Sequence, residues 1–78
     1  MVCAYVLIKT EAGMQNDALA KISKTKGVAK ANTITGPYDI VAFVEGEDLG
    51  SLKKTVVSKI QNLNMVKDTM TCIVLDNL

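Results

Sequence analysis

The sequence predicts an α+β domain, with four antiparallel strands and two helices on one face, in the order βαββαβ. Three observations predict it. Four apolar segments rich in Val, Ile and Leu alternate with two segments whose apolar residues recur at helical spacing. A Gly-Pro pair joins the two middle strand segments, and so short a connection makes them antiparallel. The chain has 78 residues, the length of one small domain.

The elements follow in order. Val2 to Thr10 is nearly all apolar and reads as a strand buried on both faces. Glu11-Ala12-Gly13 breaks it. From Met14 the period changes: Met14, Ala18, Leu19 and Ile22 share one helical stripe, with Gln15, Asn16, Lys21 and Lys24 opposite. Gly27, after the lysines of the last turn, stops this helix. Val28 to Thr35 is a second strand, more polar and alternating, which suits an edge. Thr35-Gly36-Pro37-Tyr38-Asp39 turns the chain, and Ile40 to Glu45 returns it. Gly46-Glu47-Asp48 gives another turn, with Asp48 as N-cap. Leu49, Leu52, Val56, Ile60 and Leu63 mark the second amphipathic helix, and Asn62-Leu63-Asn64 ends it. Met65 to Leu75 is the last strand. This is the ferredoxin-like arrangement, a split βαβ motif used twice to build an αβ sandwich.

Composition narrows the function. The hydrophobic fraction is 49% with only 4% aromatics, a large apolar share for so small a core. The helices cover one sheet face, so a second copy is the natural cover for the other. A net charge of +1 offers no field for a polyanion, and direct nucleic-acid binding is not expected. The apolar runs are too short to span a bilayer, and no leader pattern opens the chain, so a soluble cytoplasmic protein is expected. The sequence contains no His, which removes every His-based acid–base or nucleophilic scheme. Cys3 and Cys72, isolated in apolar runs, make no zinc site and read as buried free thiols. There is no phosphate loop, no CxxC and no Arg; all nine basic residues are lysines. No catalytic residue, metal or cofactor is expected.

The topology gathers one rim. The end of the first strand (Thr10), the hairpin (Thr35 to Asp39), the end of the second helix (Gln61) and the start of the last strand (Asp68 to Thr71) meet at one end of the sheet. These groups are almost all neutral hydrogen-bonders plus a carboxylate, which suits a small zwitterion better than a phosphate. Gly36 and Pro37 shape the turn and let a ligand approach the backbone. Tyr38 either caps the core or walls a site. Asp39 either closes the turn on its own backbone or takes an ammonium group. Thr69 and Thr71, alternate residues of a strand, point the same way. Gln61 either is a solvated helix end or faces a ligand.

The chain resembles the ligand-binding (RAM) domain of the Lrp/AsnC, or feast/famine, transcription regulators. Ala4-Tyr5-Val6-Leu7-Ile8, Lys26-Gly27-Val28, Thr35-Gly36-Pro37-Tyr38-Asp39-Ile40, Lys59-Ile60-Gln61 and Thr69-Met70-Thr71 carry the resemblance over essentially the whole chain. Asn64-Met65-Val66 stands where the family usually has Gly-Val. Met1 leads straight into the first strand, with no helix-turn-helix before it, so residues 1–78 look like a stand-alone effector domain. The resemblance implies sheet-to-sheet dimers assembled into octamers or decamers, with a free amino acid bound between dimers near the hairpin. It carries ligand contacts onto Gly36, Tyr38, Asp39, Thr69 and Thr71; Pro37 and Gln61 join from the turn and the rim. A full-length regulator of the family is the implied protein partner, through which transcription would be modulated. Two other readings stand beside this one: a ferredoxin-like dimeric small-molecule enzyme, and a purely structural assembly module.

Overall fold

Residues Val2–Thr10 form the first strand, β1, and its side chains alternate between buried and open positions. The even positions Ala4, Val6, Ile8 and Thr10 are all buried. The structure, a computed structural model, describes residues 1–76; the last two residues of the expected domain lie outside them. Helix α1 is Gln15–Ser23. Strands β2 and β3 are Val28–Thr33 and Ile40–Gly46. Helix α2 runs continuously through an α stretch Leu49–Ser51, a π stretch Leu52–Val57 and an α stretch Ser58–Gln61. Strand β4 is Val66–Ile73.

The sheet is antiparallel throughout, in the order β2-β3-β1-β4. The two central strands are therefore β3 and β1, and the polar β2 lies at an edge as its pattern required. Val6 pairs with Ala42 on β3 and with Thr71 on β4. That register puts Ile40, Ala42 and Val44 beside Ala4, Val6 and Ile8, all fully buried. Ala18 and Ile22 of α1, and Leu52, Val56, Val57 and Ile60 of α2, close the layer from above. Truncating one of the larger members, such as Ile8 or Ile60, to Ala costs about 2–5 kcal/mol.

The structure corrects four local expectations. First, within one chain β1 is buried on one face only: Tyr5 and Lys9 are exposed and Leu7 is half-buried. Second, Cys72 is exposed and Cys3 half-buried, because both sit at positions opposite the helices. Third, the second strand stops at Thr33, two residues short of Thr35, since Ile34 N–H already donates to the Asp39 carbonyl and closes the hairpin. Fourth, α2 is not wound uniformly. In regular α winding Val57 would lie about 140° around the axis from Leu52, off the apolar stripe. The wider π turn brings Val57 into the core, where it is 7% exposed, while Leu49 at the helix start stays 45% exposed.

Two predicted devices are present. Asp48 caps α2: its Oδ1 accepts from Ser51 N at 2.7 Å. Gly27 has φ +96°, and a Cβ there would collide with the Val56 side chain, so only glycine lets α2 settle over this turn.

Candidate functional site

The hairpin between β2 and β3 is tied to the end of β1. Thr10 N–H donates to Asp39 Oδ2 at 2.9 Å, and the Thr10 hydroxyl donates to the same oxygen at 3.2 Å. Asp39 N–H donates to the Ile8 carbonyl at 2.9 Å. Asp39 is thus fixed from both its backbone and its side chain. Gly36, at φ +151°, and Pro37 stand at the exposed tip. Tyr38 leans over the corner of the uncovered sheet face. Its hydroxyl reaches Met70 Sδ at 4.0 Å, and Lys9 Nζ lies 5.7 Å from its ring centroid.

The far side of the rim is built from α2 and β4. Gln61 Nε2 donates to Thr69 Oγ1 at 3.1 Å. Thr69 N–H donates to Asp68 Oδ1 at 2.9 Å, which folds the carboxylate back along the strand. Gln61, Val66, Lys67, Asp68 and Thr69 line a recess of about 210 Å³. Lys9 and Asp68 are register partners across β1 and β4, so they link this recess to the hairpin. Thr69 and Thr71 share the helix-side face, opposite Ile8 and Val6. Thr71 therefore lies down the strand from the rim, half-buried, and is not brought to the recess.

The sequence reading placed Gly36, Pro37, Tyr38, Asp39, Gln61 and Thr69 at one end of the molecule, and the structure places them there. It missed Lys9 and Met70. The signal that finds them is strand parity: both fall on the face that the apolar core residues avoid, next to the hairpin. Two larger recesses lie elsewhere. One of about 320 Å³, over the uncovered face, is lined by Tyr5, Lys30, Asn32, Val41 and Phe43. The other, of about 390 Å³, is at the opposite end, between Gly27, Glu45, Glu47 and Lys59 among others.

The cap of α2 lies at the opposite end of the molecule. The Ser51 amide, followed by the Ser51 hydroxyl, holds the Asp48 carboxyl below its ordinary value. Among the described residues no group of three or more His, Cys, Asp or Glu could hold a metal ion. No helix among them is long and apolar enough to cross a membrane.

A four-stranded antiparallel sheet backed by two helices, in the order βαββαβ, defines a ferredoxin-like αβ sandwich. Residues 3–78 match the family described as Lrp/AsnC ligand binding domain, and the chain belongs to that family. It is 36% identical over 73 residues to the HTH-type transcriptional regulator LysM of Sulfurisphaera tokodaii, covering 92% of this chain and 51% of the relative. It is 32% identical over 75 residues to the regulatory protein AsnC of Escherichia coli, covering 96% of this chain and 49% of the relative. The chain thus spans about half the length of the curated relatives it matches. Among solved structures, TTHA0845 from Thermus thermophilus superimposes with a TM-score of 0.92 at 31% identity, over 100% of this chain and 98% of that one. LysM and AsnC are regulators, and this chain matches the ligand binding domain of their family.

Proposed function

We propose that this chain is an oligomeric effector module that binds a free amino acid at the hairpin rim and modulates transcription through a partner regulator. The observation that carries the reading is the rim itself. Backbone and side-chain donors and acceptors from β1, the hairpin, α2 and β4 converge there, with carboxylates at Asp39 and Asp68 and ammonium groups at Lys9 and Lys67. Mixed charge of this kind complements a zwitterion. Family membership supports the effector role.

Gly36 and Pro37 offer turn backbone to the ligand, Tyr38 one wall, and Gln61 and Thr69 neutral hydrogen bonds. Thr71 would contribute from deeper in the strand. Asp39 already accepts two hydrogen bonds from Thr10, so holding the hairpin in place is its first role. The uncovered face, with Tyr5, Leu7, Phe43, Met70 and Cys72, is the surface on which a second copy would pack, before further assembly into octamers or decamers. No catalytic step and no cofactor enter this reading, and DNA contact is left to the partner.

Calorimetric titration of the full chain with each of the twenty standard amino acids tests the proposal. Saturable binding of one or a few, weakened by substitution at the rim, is the expected result. Heats indistinguishable from dilution for all twenty would overturn it.

A further inference from the structure

The two cysteines of the chain lie near its opposite ends in sequence, and the sheet brings them to neighbouring strands. On β1 the even positions Ala4, Val6 and Ile8 are buried under the helices, so Cys3 faces the uncovered side. On β4 Cys72 is the register partner of Tyr5, which puts it on the same side. The Val74 amide donates to the Cys3 carbonyl at 2.9 Å, so the ladder holds as far as Cys3. Cys3 and Cys72 are therefore diagonal neighbours, with Tyr5 and Val74 at the other two corners. Both thiols are free; Cys3 is half-buried and Cys72 exposed. Unpaired cysteine is among the most buried residue types, so packing alone does not account for two open thiols side by side.

The corner residue Tyr5 leans away from the pair. Its ring centroid lies 5.0 Å from that of Phe43 on β3, and it joins Lys30, Asn32 and Val41 around the recess over β2 and β3. The β4 side of Tyr5 is thus left to the thiols. This end of the face is also remote from the hairpin, which is tied to the other end of β1.

The spacing selects the chemistry. Diagonal positions on paired antiparallel strands have Cα atoms about 7–8 Å apart. A disulfide needs Cα atoms within about 7 Å and sulfurs about 2 Å apart. Two thiolates in line on one metal ion hold their sulfurs about 4.6 Å apart, at about 2.3 Å per bond, which supplies the missing reach. A structural zinc ion takes four ligands, and among the described residues no third His, Cys, Asp or Glu completes the pair. Thiolate ligands select soft ions, of which copper(I) is satisfied by two.

We propose that Cys3 and Cys72 form a two-coordinate site for a soft monovalent cation of the copper(I) type at this end of the uncovered face. Binding involves no redox change. Each thiol gives its proton to solvent as its sulfur bonds the ion, so two protons leave for each ion taken up. The site shares no residue with the hairpin rim and is independent of amino-acid binding.

The test uses the full, reduced chain without oxygen: wild type, Cys3→Ser and Cys72→Ser, each checked for folding by a thermal melt. Cys72 is exposed, so its serine variant keeps the fold. Copper(I), supplied as its acetonitrile complex, is titrated in competition with a chromophoric copper(I) chelator, and native mass spectrometry counts ions per chain. Wild type should bind one ion per chain. Each single variant should lose affinity by about a hundredfold or more, because the second thiolate acts at high effective concentration. Equal affinity in wild type and Cys72→Ser would overturn the proposal. Diamide, a thiol oxidant, probes the spacing separately. Wild type should form no disulfide within a chain; a single-chain band on non-reducing electrophoresis that has lost both thiols would overturn the proposal as well.

Discussion

The Asp39 carboxylate and Thr10 are joined twice through one oxygen, at 2.9 Å from the Thr10 amide and 3.2 Å from its hydroxyl, across 29 positions of sequence. This contact locks the hairpin to the end of the central strand, at the register shift where β1 leaves its regular pairing with β4. Regular pairing of β1 with β3 ends at Ile8 and Ile40, so the Thr10 amide beyond it meets the Asp39 carboxylate instead of a strand carbonyl. Asp39→Ala should therefore loosen the hairpin. The expected loss of stability is about 1–3 kcal/mol, the cost of leaving a partly buried donor unpaired. Denaturant unfolding measures it, and hydrogen exchange at the Ile34 and Asp39 amides should quicken with it. Unchanged exchange at both amides would contradict the role given to this pair.

The cap of α2 gives a pH dependence. The folded Asp48 carboxyl titrates below its ordinary value of 3.8, because Ser51 hydrogen bonds favour the charged form. A depressed carboxyl stabilises the fold above its unfolded pKa, and the contribution is lost as pH falls through the lower folded value. The melting-temperature gap between wild type and Asp48→Ala should be constant above about pH 5 and close on acidification. A gap that widens in acid would reverse the sign.

Gly27→Ala tests the close approach of α2 to the turn after α1. The residue sits at φ +96°, and the added methyl meets Val56, so strain and overpacking act together. A loss of more than about 1 kcal/mol is expected by denaturant unfolding. A neutral result would mean that α2 moves freely over this turn.

Adjacent residues on β1 should separate folding from assembly. Val6 is fully buried beneath the helices, whereas Leu7 faces the uncovered side. Val6→Asp should unfold the chain, because a buried unpaired carboxylate costs several kcal/mol. Leu7→Asp should leave circular dichroism intact and reduce the particle mass in solution. If Leu7→Asp assembles like wild type, the uncovered face is not the subunit contact.

How far the sequence reached depends on what each feature needed. The strand and helix segments and the cap at Asp48 are set by neighbours in the chain, so they were legible. The fates of Cys3 and Cys72 were not, because an apolar run has no assigned faces until its register is known. Asp39 could close its own turn or reach a distant partner, and only the position of Thr10 decides between them. The π winding of α2 answers the packing of Val57, which no periodicity in that segment announces. The hairpin, Gln61 and Thr69 were placed by strand direction alone. Lys9 and Met70 needed the pairing of β1 with β4 as well.

The central claim joins assembly to ligand binding, and light scattering on the purified chain, with and without each amino acid, tests both at once. The account predicts a particle of at least two copies at micromolar concentration, whose mass distribution shifts when the bound amino acid is added. A stable monomer whose mass none of the twenty amino acids alters would contradict it.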